Sequence, residues 1–462
     1  MKTYDLAVIG AGSGGLVAAL TANRNGYKVA MLEKDKIGGE CTHAGCVPSK
    51  TLLSSAKLYH AMQNARRLGL PELDQTNQLE FARVMEHVND VVQSVYQNEQ
   101  PVVFEDQGID VYIHADGAEF LSPTQIKIGD DVIAASNTII ATGSSPRMAP
   151  HSGGEMPDVL TNNNFWDIRD LPSSVVFLGG GVISVELGQA LARFGAEVSI
   201  IDRNSRILHV VDQQVGELAS EVLRREGIKI LTNSHVVDCQ SLPDGKVRLF
   251  LEQDGEKKEM VVERIFAALG RIPNTAGLAL EKAGIAYNEY GIETNEYLQT
   301  TAANIYAIGD VASRAKFTHM ASYQAEVALE NIISGNHVLN DLSIVPWAIF
   351  MDPEIGHVGL NEEQARKKFE KVNTFQVETG SIDRFKTESE TEGFVKIVLD
   401  EEDHILGADA IGKHAGEWIQ FFTLAIKLRL PIHELGDLIF IYPTFSEIVK
   451  KVVTRYLRTK ST

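Results

Sequence analysis

The sequence predicts an α/β fold: two parallel-sheet, Rossmann-like dinucleotide-binding domains and a smaller α+β domain at the C-terminal end. Three observations predict it. A glycine-rich turn between an apolar strand and a helix occurs twice, starting at Gly10 and at Gly179. Each is followed, 23 residues after its first glycine, by an acid that closes a second apolar strand: Glu33 and Asp202. Beyond about residue 335 the pattern changes, with strand-like Val395–Leu399 ahead of helical stretches that end near Tyr456. A chain of 462 residues that is 44% hydrophobic has ample apolar residue for a large core, and its length fits about three domains.

The first unit reads Tyr4-Asp5-Leu6-Ala7-Val8-Ile9, then Gly10-Ala11-Gly12-Ser13-Gly14-Gly15, then an alanine-rich helix. Gly10 permits a tight turn, Gly12 lets the backbone approach a pyrophosphate, and Gly15 allows close helix–strand packing. The helix start then faces phosphates, and Glu33 can accept from a ribose hydroxyl. Leu6 to Ala22 carries no charge, but its four glycines and short length fit a strand–turn–helix better than a membrane span.

The second unit repeats the design. Ser174–Leu178 leads into Gly179-Gly180-Gly181-Val182-Ile183-Ser184, and Glu197–Ile201 ends at Asp202. One such turn is weak evidence; two with the same acid spacing are strong and imply two nucleotides. The second lies in a block from about Pro150 to Gly270. A Pro-, Gly- and Asn-rich stretch, Ser144 to Asn164, precedes it. Gly270-Arg271-Ile272-Pro273-Asn274 follows as a chain crossing. Asp202 favours NAD(H) over NADP(H), because a carboxylate accepts from a 2′-hydroxyl and repels a 2′-phosphate. Arg203 and Arg206 follow at once and are placed to accommodate that phosphate; Ser184, in the third-glycine position, does not decide.

Between the first fingerprint and the next helix lies Gly38-Gly39-Glu40-Cys41-Thr42-His43-Ala44-Gly45-Cys46-Val47-Pro48-Ser49-Lys50. Four residues separate the cysteines, which a loop or first helical turn can bring within bonding reach. Pro48 suits a first helical turn. Cys46 then sits near a helix N-terminus, which favours a thiolate, with Lys50 one turn on. Two other readings compete: a zinc site from Cys41, His43 and Cys46, and a pair of ordinary buried thiols. No second ligand pair accompanies the first, so no metal is expected. Cys239 reads as a core residue.

The net charge of −19 disfavours nucleic acid and anionic membrane surfaces as partners. Met1–Asp5 leads straight into the first strand without a secretory pattern, and three cysteines make no disulfide scaffold. A cytoplasmic location follows as the expectation, where a disulfide is more often catalytic than structural.

Together these residues resemble the pyridine nucleotide–disulfide oxidoreductases, which include dihydrolipoamide dehydrogenase, glutathione reductase, mercuric reductase and soluble pyridine nucleotide transhydrogenase. Gly38 to Lys50 carries the resemblance most specifically. Thr138-Ile139-Ile140-Ala141-Thr142-Gly143-Ser144, Ala268–Asn274 and Asn304-Ile305-Tyr306-Ala307-Ile308-Gly309-Asp310 fall in the family's order. The resemblance implies FAD, a nicotinamide nucleotide and a homodimer. It divides the chain into 1–149 (FAD, first part), 150–270 (nicotinamide), 271–334 (FAD, second part) and 335–462 (dimerisation).

It also implies roles. Cys46 is the flavin-proximal, charge-transfer thiol and Cys41 the interchange thiol that attacks an external disulfide. Lys50 and Glu186 pair beside the flavin. Gly39, Gly117, Thr142, Gly143 and Ser144 line FAD, and Asp310 holds its ribityl hydroxyls. Phe317-Thr318-His319 opens a helix aimed at the flavin pyrimidine. Gly179, Gly181, Val236 and Gly270 approach the nicotinamide nucleotide.

The chain departs from the family pattern at one place. Dihydrolipoamide dehydrogenase and glutathione reductase carry H-P-T-x-x-E near the C-terminus, where the His is the thiol acid/base from the partner subunit and the Glu orients it. Here the stretch reads Tyr442-Pro443-Thr444-Phe445-Ser446-Glu447. A reference His titrates near pH ~6.5 and a Tyr near ~10, so Tyr442 is a poor base but still a donor. The leading expectation is therefore an enzyme acting on a small disulfide or dithiol, with Tyr442 and Glu447 assisting and an atypical substrate. Transhydrogenase or diaphorase activity, and a non-enzymatic flavin redox sensor, are the alternatives.

Overall fold

The computed structural model describes residues 1–71, 79–149, 158–335 and 337–460. Pro150, at the expected start of the second block, lies outside them.

The first sheet has seven strands. Its parallel part runs Asp110–Ile113, Val29–Glu33, Lys2–Ile9, Asp131–Ile140, and the antiparallel strands Gln125–Ile128 and Ala118–Ser122 continue it. Along the Asp131–Ile140 strand, Gln125–Ile128 reaches only Asp131–Ala134, which leaves the later half of that strand open on that side. Ile305–Ala307 fills this edge in parallel, from far along the chain. The uncharged run Leu6 to Ala22 is the first strand, the turn and the helix Ser13–Arg24.

The second sheet is fully parallel, in the order Lys229–Leu231, Glu197–Ile201, Ser174–Leu178, Arg264–Ala267, Val159–Leu160. Its central strand is buried on both faces, which is why Val175-Val176-Phe177-Leu178 reads as an unbroken apolar run. A three-stranded antiparallel sheet, Ser234–Ser241, Val247–Gln253 and Glu256–Val262, packs against it. Cys239 is wholly buried there, among Val176, Leu249 and Ile265. Where the chain crosses between the two halves, Ser144–Pro146 and Arg271–Pro273 pair antiparallel. The C-terminal part is a five-stranded antiparallel sheet covered by helices, of which Glu447–Lys460 is the last.

The three parts share buried contacts. One apolar cluster runs from Leu52 and Leu53 through Val185, Leu191 and Phe194 to Ile349 and Met351. A polar seam lies beside it. Glu186, Gln189 and Arg193 lie at i, i+3 and i+7 on the helix Val182–Phe194, one face. All three reach the loop Phe350–Asp352: Glu186 accepts from the Phe350 N–H at 2.7 Å. Gln189 donates to the Asp352 carbonyl at 2.7 Å, and Arg193 donates to the Asp352 carboxylate at 2.8 Å. Arg193 also forks onto Glu226 at 2.7 and 2.8 Å. Burial pushes the Asp352 carboxyl up, but the Arg193 and Lys57 charges outweigh it and hold it below its usual range.

Arg193→Ala removes the one cation shared by two largely buried carboxylates. It is expected to cost about 3 kcal/mol in urea unfolding, since breaking a buried pair strands its partners. A carboxylate with a depressed folded pKa contributes stability above its unfolded pKa that is lost as pH falls through the folded value. The variant should therefore unfold at a higher pH on acid titration than the native chain; an unchanged acid midpoint would contradict this role.

Candidate functional site

The two glycine turns have matching geometry. Gly10 and Gly179 both have φ +98°, and a Cβ on either would lie 2.4 Å from a carbonyl oxygen, of Ala141 and Ala268 respectively. Each strand-ending acid is tied to its turn: Glu33 accepts from the Ala11 N–H at 2.7 Å, and Asp202 from the Gly180 N–H at 2.6 Å. At the third position Gly15 has no room for a Cβ, which would sit 1.9 Å from the Gly10 carbonyl oxygen. Ser184 solves the same contact differently, by donating its hydroxyl to the Gly179 carbonyl. Gly12 and Gly181 precede the helices Ser13–Arg24 and Val182–Phe194. Neither helix has a side-chain cap or an acid in its first turn. Such ends present unpaired N–H groups to an anion; the helix Gln213–Arg225, by contrast, is capped by Asp212.

The cysteine segment lies on the first turn. Gly39 has φ +60°, and a Cβ there would lie 2.8 Å from Gly12 Cα. The short helix Gly39–His43 folds back through Gly45, where a Cβ would meet the Glu40 carbonyl oxygen at 2.9 Å, and the helix Cys46–Gln63 begins at Cys46 itself. The two cysteines are free thiols, close enough that each shifts the other's titration. Cys46 Sγ is also 3.4 Å from Thr318 Oγ1, the first side chain of the helix Thr318–Ser334 that Phe317 precedes. Two uncapped helix N-termini thus converge on one sulfur.

That setting separates the two thiols. The hydrogen bond from Cys41, helped by Thr318 and the Lys50 charge, lowers the Cys46 pKa to about 6 against the opposing effect of partial burial. The same hydrogen bond, together with burial, pushes Cys41 up. Near pH 7 the reduced pair holds its charge on Cys46 and its proton on Cys41. Lys50 is fixed by Glu186, with Nζ 2.8 Å from Oε2, and lies 4.7 Å from the centre of the Phe350 ring.

A polar chain closes the other side. Arg271 Nε donates to Ser144 Oγ at 2.6 Å, which donates to Asp310 at 2.5 Å. Arg271 also pairs with Glu40, whose carboxyl burial pushes up despite that partner. Thr142 and Asn274 exchange two hydrogen bonds at 2.8 Å. Gly117, Gly143 and Gly270 all have positive φ, as their turns require. Val236 packs at the edge of the cluster around Cys239. Phe317 and His319 stack with ring centres 5.3 Å apart.

The structure commits three of the residues singled out in the sequence to partners of their own. Arg206 does not stand ready for a 2′-phosphate: its guanidinium donates to the carbonyls of Leu208, His209 and Val211 at 2.8–2.9 Å. Tyr442 is not oriented by Glu447. Its hydroxyl donates to Asp383 at 3.3 Å, while Glu447 accepts from the Thr444 N–H at 3.2 Å at the start of its own helix. The alternative metal ligand His43 is engaged elsewhere, 2.8 Å from the Ile37 carbonyl and against the Tyr96 ring.

The pyridine nucleotide-disulphide oxidoreductase model matches residues 4–325, and the dimerisation domain of those proteins matches 345–453. The chain belongs to the pyridine nucleotide-disulphide oxidoreductase family. It is 36% identical to dihydrolipoyl dehydrogenase of Thermus scotoductus, over 97% of this chain and 96% of that one. It is 33% identical to the Bacillus subtilis enzyme, over 96% of both. Mercuric reductase of Staphylococcus aureus is 32% identical over 97% of this chain and 81% of its own. Among solved structures, the HOCl-induced flavoprotein disulfide reductase RclA from Escherichia coli, as its Cu(II) complex, superposes with TM-score 0.86. The identity there is 27%, over 98% of this chain and all of that one.

The family is FAD-dependent and uses a pyridine nucleotide, and the chain is an oxidoreductase of that class. Its residues fit a flavin dinucleotide: an uncapped helix start behind Gly12, a fixed acid at Glu33, and Asp310 held by Ser144. No helix among the described residues is long and apolar enough to cross a membrane.

The sequence reading missed the partners that join distant segments. Glu40 and Arg271, although inside quoted motifs, had no role; Thr318 was not linked to Cys46, nor Phe350 to Glu186, nor Asp383 to Tyr442. Only Arg271 and Asn274 carried a usable signal, as a cation and an amide in the crossing motif.

The reduced protein should be alkylated by iodoacetamide at Cys46 with a rate that rises through pH about 6, while Cys41 reacts only at much higher pH. Peptide mass mapping after short exposures checks this. Equal labelling of both cysteines at pH 7 would contradict the separation of the two thiols.

Proposed function

We propose that the chain reduces low-molecular-weight disulfides with NADH, acting as a homodimer through Cys41 and Cys46. The observation that carries this reading is the convergence of two helix N-termini, Lys50 and Cys41 on the Cys46 sulfur. It makes one thiol of the pair a stable thiolate and leaves the proton on the other.

Bound FAD would accept hydride from the nicotinamide and pass the electron pair to the cysteines. Gly10, Gly12, Gly15, Glu33, Gly39, Gly117, Thr142, Gly143, Ser144 and Asp310 would hold it, with Phe317, Thr318 and His319 at the helix beside it. Lys50, fixed by Glu186 and stacked on Phe350, keeps a positive charge near Cys46. The reduced pair then acts on a disulfide RS–SR. Cys41 Sγ bonds to one substrate sulfur as the substrate S–S bond breaks, and the Cys41 proton passes to the departing sulfur, which leaves as RSH. Cys46 thiolate next attacks Cys41, restoring the Cys41–Cys46 disulfide and releasing the second RS⁻. Two electrons have moved; one RSH carries the Cys41 proton and the second RS⁻ takes its proton from solvent.

Tyr442 favours this direction. The Asp383 charge and hydrogen bond push its phenol further up, so it takes no proton from an incoming thiol at neutral pH, and its one O–H would turn from Asp383 to donate to a leaving thiolate. Dithiol oxidation needs the base that this position lacks.

Two further features support the reading. Gly179, Gly181, Ser184 and Asp202, with Val236 and Gly270, form the second nucleotide site. There Asp202 is a buried carboxylate and Arg206 is committed to backbone carbonyls, which supports NAD(H). Leu438, Ile439, Ile441 and Tyr442 form an exposed apolar stretch, with Ile439 97% and Ile441 79% accessible, as a second copy would cover. In that dimer Tyr442 and Glu447 would face the partner subunit's cysteine pair.

Cys41→Ser should reduce NADH-dependent disulfide reduction by roughly three orders of magnitude or more, with native FAD content and melting temperature. The native enzyme's kcat/KM should be at least about tenfold higher with NADH than with NADPH, about 1.4 kcal/mol. Disulfide reduction that survives Cys41→Ser would mean that electrons bypass the pair.

A further inference from the structure

The helix Glu447–Lys460 carries Lys450, Lys451, Arg455, Arg458 and Lys460 against a single acid, Glu447, a local charge of +4 in a chain of net charge −19. Its apolar face, Ile448, Val449, Val452, Val453 and Tyr456, is buried. Lys450, Lys451, Thr454, Arg455 and Arg458 lie three and four residues apart on the remaining face. They line a cavity of about 260 Å³ whose other residues are Ser381, Ile382, Asp383, Tyr442 and Glu447. The substituted tyrosine and the cations therefore share one cavity.

Two carboxylates share the cavity with the cations, and the Lys451 charge bears on Asp383. Asp383 is held by Lys386 at 3.2 Å and by Tyr442, and Glu447 accepts from the Thr444 N–H. Lys450 donates to the Leu438 carbonyl at 2.9 Å. Lys451 and Arg455 have no hydrogen-bonded partner among the described residues. Two cations without hydrogen-bonded partners, in one cavity, suit a carboxylate or phosphate. The volume is at the lower limit for a small-molecule site and suits one arm of a ligand rather than a whole dinucleotide.

We propose that this cavity binds the anionic arm of the disulfide substrate, with Lys451 and Arg455 selecting disulfides that bear carboxylate or phosphate groups. The assignment rests on the reading of the chain as a homodimeric disulfide reductase, in which Tyr442 faces the partner subunit's cysteines. It makes Lys451 and Arg455 specificity residues at a distance from the sulfur chemistry.

Two reactive disulfides that differ in charge test it. In 5,5′-dithiobis(2-nitrobenzoate) each half carries a carboxylate; 2,2′-dithiodipyridine is neutral. The ratio of their kcat/KM values is measured with NADH at low ionic strength for the native holoenzyme and for Lys451→Gln/Arg455→Gln. The ratio should fall by about tenfold or more in the variant, in favour of the neutral disulfide. Adding salt to about 0.5 M should lower the native ratio, because exposed charges are screened, and should move the variant's ratio much less. The salt series on the native enzyme stands even if the variant fails to fold. Equal ratios in both proteins, or a native ratio indifferent to salt, would overturn the anion assignment while leaving the reductase reading intact. Turnover of neither disulfide by the native enzyme would overturn the reductase reading, and this assignment with it.

Discussion

The coupling of the Cys41 and Cys46 thiols at the meeting point of two helix N-termini organises the rest of the site. A thiolate on Cys46 is sustained by a proton held on its neighbour, by Thr318 at 3.4 Å and by Lys50 one turn away. Each of these depends on a separate piece of the fold. The cysteine turn must pack on Gly12, which requires Gly39 without a Cβ. The helix Thr318–Ser334 must return to the first sheet, which requires the open upper edge that Ile305–Ala307 fills. Lys50 must be fixed by Glu186, which is itself held by the loop at Phe350. The first nucleotide-binding unit, the second and the C-terminal part therefore each contribute one constraint to a single sulfur.

The two nucleotide sites show how a repeated physical demand yields a repeated structure while the residues drift. Both turns place their first glycine at the same φ, against a carbonyl oxygen at the same distance. Both acids accept the N–H that follows that glycine. The third position differs, Gly15 in one and Ser184 in the other, yet in each it meets the carbonyl of the first glycine. A small residue suffices there, provided that its polar atom has that carbonyl to bond.

What was legible in the sequence was local. The glycine turns, the strand-ending acids and the cysteine turn each lie within a few dozen residues, and their geometry follows from backbone sterics and helix termini. Less legible was anything that depends on two distant segments meeting. The Tyr442–Asp383 contact spans 59 residues, Glu186–Phe350 spans 164, and Glu40–Arg271 spans 231. No local pattern marks such pairs, so neither the contact of Tyr442 with Asp383 nor the backbone turn that claims Glu447 could be read from the Tyr442–Glu447 stretch. Arg206 shows the converse: its charge and position suggested a phosphate ligand, but the nearby loop offered three carbonyls that satisfy it.

The most direct test of the central account is a thiol count. The air-oxidised holoenzyme is reduced anaerobically with one equivalent of NADH per subunit, then denatured and labelled with a maleimide, and the labelled peptides are identified by mass. The account predicts two additional labels per subunit, on Cys41 and Cys46, with Cys239 labelled in either state. Consumption of the NADH with no new label on Cys41 or Cys46 would contradict it, because the electron pair would then have stopped short of the sulfurs on which the account rests.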